Sequence, residues 1–163
     1  MASYSRRRSM AQERRAAADV GGRVQIASGA TPFAKSDVRK MGELRVECKT
    51  TRKALFSLKR DDILKLRKEA ISQGLEMWVF QVEFQKSAGF TKKLAVLDAA
   101  WFKQLGGKIT ETHCVYGKSS PLSSLVRYDL DWEWVRPGSP VINHLFLTVC
   151  SWEEFLRLWE DRE

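Results

Sequence analysis

The sequence predicts an α/β domain organised around a mixed central β-sheet with helices on its flanks. Helical and strand periodicities succeed one another as helix, several strands, helix, strands, helix. A strand-then-helix signal occurs twice, at 94–105 and at 144–160, each with a capping residue at the junction. No linker divides the chain, and its 163 residues suit one domain with a core of its own.

The elements follow in order. Residues 9–19 are alanine-rich and helical, stopped by Gly21-Gly22. A short strand, Arg23 to Ala27, precedes a turn or loop at Ser28-Gly29-Ala30-Thr31-Pro32. From Glu43 the residues alternate: Leu44, Val46 and Cys48 fall on one face, and Arg45, Glu47 and Lys49 on the other. Leu55 to Leu58 is a second short strand. Asp61 is placed to cap a helix in which Ile63, Leu66 and Ala70 form the inward stripe, ended by Gly74. Met77 to Phe84 and Leu94 to Leu97 are β-prone, and Asp98 caps a short helix around Trp101 and Leu105. Residues 117–141, with Pro121, Pro137 and Pro140, read as loop interrupted around Asp131–Trp134. His144 to Val149 is a strand, and Ser151 and Glu154 have capping-box spacing for a closing helix through Trp159.

Composition narrows the function. Hydrophobic residues make up 44% and charged residues 29%, an ordinary globular balance, with no apolar run of bilayer length and no secretory signal. Cys48, Cys114 and Cys150 form no paired framework, which points to a reduced, cytoplasmic setting. Without a C-x-x-C, and with His113 and His144 far apart, zinc is not expected. The net charge of +8 is uneven. Arginines 6, 7, 8, 14, 15 and 23 crowd the N-terminal end, a second basic stretch runs from Lys35 to Lys68, and the balance turns acidic from Asp129 to Glu163. A cationic half opposite an anionic half suits a polyanion docking on one side.

The chemistry-bearing residues are Asp37 and the pair Glu47 and Lys49. Two apart on a strand, Glu47 and Lys49 project from the same face, and Asp37 opens the preceding β segment, from which it can turn toward the same point. Converging carboxylates make an oxygen-rich site for a hard cation such as magnesium, and a fixed ammonium beside it favours hydroxide and the pentacovalent transition state at phosphorus. Against this stands the plain reading of an alternating strand showing its charge to water. Glu47-Cys48-Lys49 is, however, the only acid-x-lysine triplet in the chain, and it directly follows the aspartate-bearing segment.

These residues also occur in a familiar order: Glu13 in a first helix, Ser28-Gly29, Ser36-Asp37-Val38, Val46-Glu47-Cys48-Lys49-Thr50, then Ser57-Leu58-Lys59 before a helix. Over roughly residues 10–105 the chain resembles the PD-(D/E)xK nucleases, in the branch of Holliday-junction resolvases and small phage endonucleases. Ser36 stands where the motif has proline, and 106–163 resembles no part of the pattern. The resemblance implies a restriction-endonuclease-like core, cleavage dependent on magnesium or manganese, and a metal held by Asp37, Glu47 and Glu13 with Lys49 beside it. It further implies a homodimer acting on branched DNA, with Ser28 contacting DNA, and a virus-encoded protein in a bacterial host among its origins.

The resulting expectation is one nuclease domain over 1–163: a flexible basic arm at 1–8, a catalytic core at 9–105 and a C-terminal extension at 106–163. Arg6, Arg7, Arg8, Lys35 and Lys59 are the further DNA-contact candidates. Each has a plainer reading: Glu13 as a helix-surface partner of nearby arginines, Ser28 as a turn residue, Lys59 as a solvated lysine. His113 and His144 read as structural, and Trp132 and Trp134, pointing the same way amid acidic residues, as core or interface packing. The alternatives are a nuclease of the same fold acting on linear duplex or single strands, and a non-catalytic nucleic-acid-binding module.

Overall fold

The computed structural model describes residues 4–25, 38–75, 77–85, 91–126 and 129–162. Helix α1 spans Tyr4–Val20, followed by strands β1 (Arg23–Val24), β2 (Val38–Lys40), β3 (Leu44–Thr51) and β4 (Leu55–Lys59), and by helix α2 (Arg60–Ser72). Strands β5 (Met77–Gln85) and β6 (Thr91–Asp98) lead into α3 (Ala99–Gln104). Strands β7 (Glu111–Tyr116), β8 (Ser119–Ser123), β9 (Leu130–Val135) and β10 (Leu145–Ser151) precede the closing helix α4 (Trp152–Glu160).

Eight strands form one mixed sheet in the order β1-β2-β3-β5-β6-β10-β9-β7, while β4 and β8 pair separately. The β3–β5 pair is parallel, as the α2 crossover between them requires, and β7–β9 is the other parallel pair. Alternation sorts the side chains into two cores. On one face Val46, Val79, Leu97 and Cys150 lie beneath α1, α3 and α4. On the other, Trp78, Phe80, Val96 and Leu147 pack against α2 and the β4–β8 pair. The expected mixed α/β architecture is therefore present, with helices on both faces.

Several boundaries differ from expectation. Helix α1 begins at Tyr4, so Arg6, Arg7 and Arg8 lie within a helix and not in a flexible arm ahead of one. Arginine is a good helix former, and no glycine or proline interrupts 4–20. Helix α2 begins at Arg60; Lys59 occupies its cap position without a side-chain bond, which puts Asp61 in the first turn, where its charge still suits the helix dipole. The region read as loop, 117–141, contains β8 and β9, and β7 lies just before it. Pro121 is tolerated because β8 has only one partner in its two-stranded sheet.

Local signals elsewhere match. Asp98 accepts from the Ala100 amide and Ser151 from the Glu154 amide, capping α3 and α4. Gly21 closes α1 at φ +66, and a Cβ on Gly22 would meet the Arg39 carbonyl oxygen at 2.9 Å, so the chain turns closely past β2. Trp132 and Trp134 are buried in the α2-side core, Trp134 donating to the Gly117 carbonyl at 2.8 Å. No helix among the described residues is long and apolar enough to cross a membrane.

Candidate active site

Strand β3 sets the site. Its alternation sends Leu44, Val46 and Cys48 beneath α1 and leaves Arg45, Glu47 and Lys49 on the opposite side. Arg45 is buried and held by Glu69 of α2 at 2.7 Å. Two and four residues on, Glu47 and Lys49 are only partly covered, their side chains 21% and 40% exposed, and Lys49 Nζ donates to Glu47 Oε1 at 2.7 Å. The described pairing of β2 with β3 ends at Val38–Val46, so the Glu47–Lys49 pair lies just beyond it.

Helix α1 supplies a third group. Gln12 is buried, and its Nε2 donates both to the Lys49 carbonyl at 2.9 Å and to Gln81 Oε1 at 3.0 Å. Those two hydrogen bonds tie the middle of α1 to β3 and β5 at the level of the pair. Glu13, the next residue, feels both charges. Partial burial pushes its carboxyl above the ordinary carboxylate range, repulsion from Glu47 pushes it further, and Lys49 pulls it back. Glu13, Glu47 and Lys49 thus share one electrostatic neighbourhood although they come from separate elements.

Beside them lies a polar network that the residue pattern does not single out as functional. Arg15 Nη2 reaches both oxygens of Glu83, at 2.8 and 3.0 Å, and Gln85 Nε2 donates to the same carboxylate at 2.5 Å. Glu83 is buried in β5, as is Gln81 two residues earlier. The available signal was the alternation of these polar residues within the otherwise apolar MWVFQVEFQ strand.

The remaining candidates separate. Asp37, Ser28 and Lys35 lie outside the described residues. Asp37 is bonded in sequence to Val38, which pairs with Val46, the neighbour of Glu47. Arg7 is exposed and Arg8 half-buried along α1. Lys59 is exposed at the end of β4, opposite Ser119, and so belongs to the smaller sheet. His113 bonds Glu111 and His144 bonds Glu133, both away from β3. Among the described residues no group of three or more His, Cys, Asp or Glu is placed to hold a metal ion. Glu13 and Glu47 contribute two carboxylates to the neighbourhood, short of the set that Asp37 was expected to complete.

Compared with known family models, curated proteins and solved structures, the chain matches none of them.

Proposed function

We propose that this chain is a metal-dependent endonuclease that hydrolyses DNA phosphodiesters, acting on branched DNA such as four-way junctions. What supports the reading is the hydrogen-bonded Glu47–Lys49 pair on β3, with Glu13 next to the Gln12 that bonds the Lys49 carbonyl and Asp37 joined to the β2 residue that pairs with Val46.

The donor set fits a hard divalent cation. Carboxylate oxygens are the ligands magnesium and manganese prefer, and Glu13, raised first by burial and then by Glu47, would regain its charge beside a cation. Asp37, Glu47 and Glu13 are the residues to hold it. Once bound, the ion supplies Lewis acidity and counter-charge to the scissile phosphodiester. Lys49, hydrogen-bonded to Glu47, is the ammonium that would meet the negative charge accumulating during displacement at phosphorus. Gln12, the neighbour of Glu13, ties α1 to β3 at the Lys49 carbonyl.

The basic residues grip backbone. Arg6, Arg7 and Arg8 on α1, with Ser28, Lys35 and Lys59, are the phosphate contacts of this reading, and such contacts position a duplex without reading bases. Selectivity then rests on the shape of the DNA. Cutting two opposed strands of a junction calls for two sites related by a two-fold axis, hence a homodimer. None of the three cysteines, all among the described residues, is in a disulfide, in keeping with action in the cytoplasm.

Magnesium-dependent cleavage of a synthetic four-way junction and of plasmid DNA, run side by side, tests the proposal. Paired cuts in opposed junction arms support it. Preferential cutting of plasmid points to a nuclease of linear duplex, and binding without cutting in magnesium or manganese points to a non-catalytic module.

A further inference from the structure

Four strands across the sheet from β3, the surface holds a cleft of about 700 Å³ between α3, the ends of β9 and β10, and the short 3-10 turn Val141–Asn143. About half of its lining comes from the acidic part of the chain, and the proposed nuclease chemistry makes no use of it. Its volume falls within the range of small-molecule sites.

The walls are of two kinds. Three acids line it, Asp98, Asp131 and Glu133, against two bases, Arg67 and Lys103. Asp131 is already satisfied, one oxygen taking the Thr148 hydroxyl at 2.6 Å and the other the Lys103 ammonium at 2.8 Å. Asp98 spends one oxygen on the α3 cap. Glu133 is different. His144 Nδ1 holds its Oε1 at 3.0 Å, while among the described residues its Oε2 has the Cys114 thiol at 4.0 Å. A thiol is a weak donor and the Glu133 side chain is 31% exposed, so this half of the carboxylate is open to a stronger donor entering the cleft. The apolar wall is Val141, Ile142 and Phe146, which are 63%, 88% and 46% exposed. Large apolar side chains clustered at the mouth of a cleft mark a binding surface more than chance exposure.

His144 supplies an independent sign that the site is incomplete. Its side chain is only 9% exposed, and its Nε2 is buried with no hydrogen-bond partner among the described residues. With Nδ1 committed to the carboxylate, the ring keeps Glu133 oriented and leaves its second nitrogen unsatisfied, a deficit that native structures seldom keep without a use.

We propose that this cleft binds a compact organic cation, an ammonium or amidinium on an apolar body. The N–H donors pair with Glu133, oriented by His144, and the apolar body rests on Phe146, Val141 and Ile142. A charge-assisted bond from amidinium to carboxylate supplies the donor that Cys114 supplies poorly.

The chain has two histidines, so the ring Cε1–H signals resolve the question directly. Benzamidinium is titrated into ¹³C-labelled full-length protein, with tetramethylammonium as a cation lacking N–H donors and benzyl alcohol as an apolar body lacking charge. The expected result is a saturable shift of His144 by benzamidinium, an unmoved His113, and no saturable response to either control. Glu133→Gln should weaken binding by about tenfold or more, the loss expected for a charge-assisted bond. Should that variant not fold, Phe146→Ser alters an exposed side chain and should weaken binding as well. Absence of saturation, equal movement of both histidines, equal response to tetramethylammonium, or unchanged affinity in the folded variants overturns the proposal.

Discussion

Replacing Arg15 by Met tests how α1 is held against the sheet. Arg15 donates two hydrogen bonds to Glu83, whose side chain is 1% exposed, while that of Arg15 is 47% exposed. Removing one partner of a fully buried ion pair costs about 3–5 kcal/mol, because the other charge is left uncompensated. Two features reduce that figure here. Gln85 still donates to Glu83, and the half-exposed Arg15 position lets water approach the carboxylate. The expected loss is therefore about 2–3 kcal/mol, or roughly 4–12 °C in Tm for a domain of this size. Adding Glu83→Gln removes the stranded charge, so the double variant should recover more than half of the loss. Urea unfolding followed by tryptophan fluorescence measures all four members of the cycle. If the two single losses simply add, to within about 0.5 kcal/mol, the two residues are not coupled and the reasoning fails.

Three further outcomes follow from the charges. Glu154 is held below its ordinary 4.5 first by the hydrogen bond from Arg157, so it favours folding above that value, and the help is lost as pH falls through its depressed pKa. Asp129 has the opposite sign. Burial and then Glu154 raise it above 3.8, so its ionisation opposes folding above the raised pKa and the opposition fades on acidification. Asp129→Asn should accordingly raise the urea midpoint at neutral pH, with the gain fading on acidification and gone below the ordinary value of 3.8, and a gain equal at neutral and acid pH would contradict this. Glu13→Gln should stabilise the fold by the same logic, since burial and Glu47 oppose its charge, yet abolish cleavage; a variant that is less stable, or fully active, counts against the placement of Glu13.

What was legible in the sequence was local. The alternation of β3 gave the Glu47–Lys49 face, and the spacing at Asp98 and Ser151 gave two helix caps, because each depends on residues only a few positions apart. Strand β7 was missed because Glu111–Tyr116 is an edge strand of mostly exposed residues, which shows no half-buried alternation. Strand β8 was hidden by Pro121. Asp61 was misread as a cap because an acid in the first turn and an acid at the cap leave nearly the same trace in sequence. At the candidate site, the types of Glu13, Glu47 and Lys49 were readable. That Glu13 lies within electrostatic reach of the pair was implied by the resemblance and not by the residue pattern, since it depends on the buried amide of Gln12 reaching across to β3 and β5.

Single-turnover cleavage of a four-way junction in magnesium, by wild type and by Asp37→Asn and Glu47→Gln, tests the central claim most directly, with folding checked by circular dichroism and junction affinity measured in parallel. The account predicts that both variants fold and bind the junction nearly as well as wild type but do not cut it, because each loses a proposed cation ligand. Wild-type cleavage rates in either folded variant, or cleavage that proceeds with the divalent cation chelated, would contradict it.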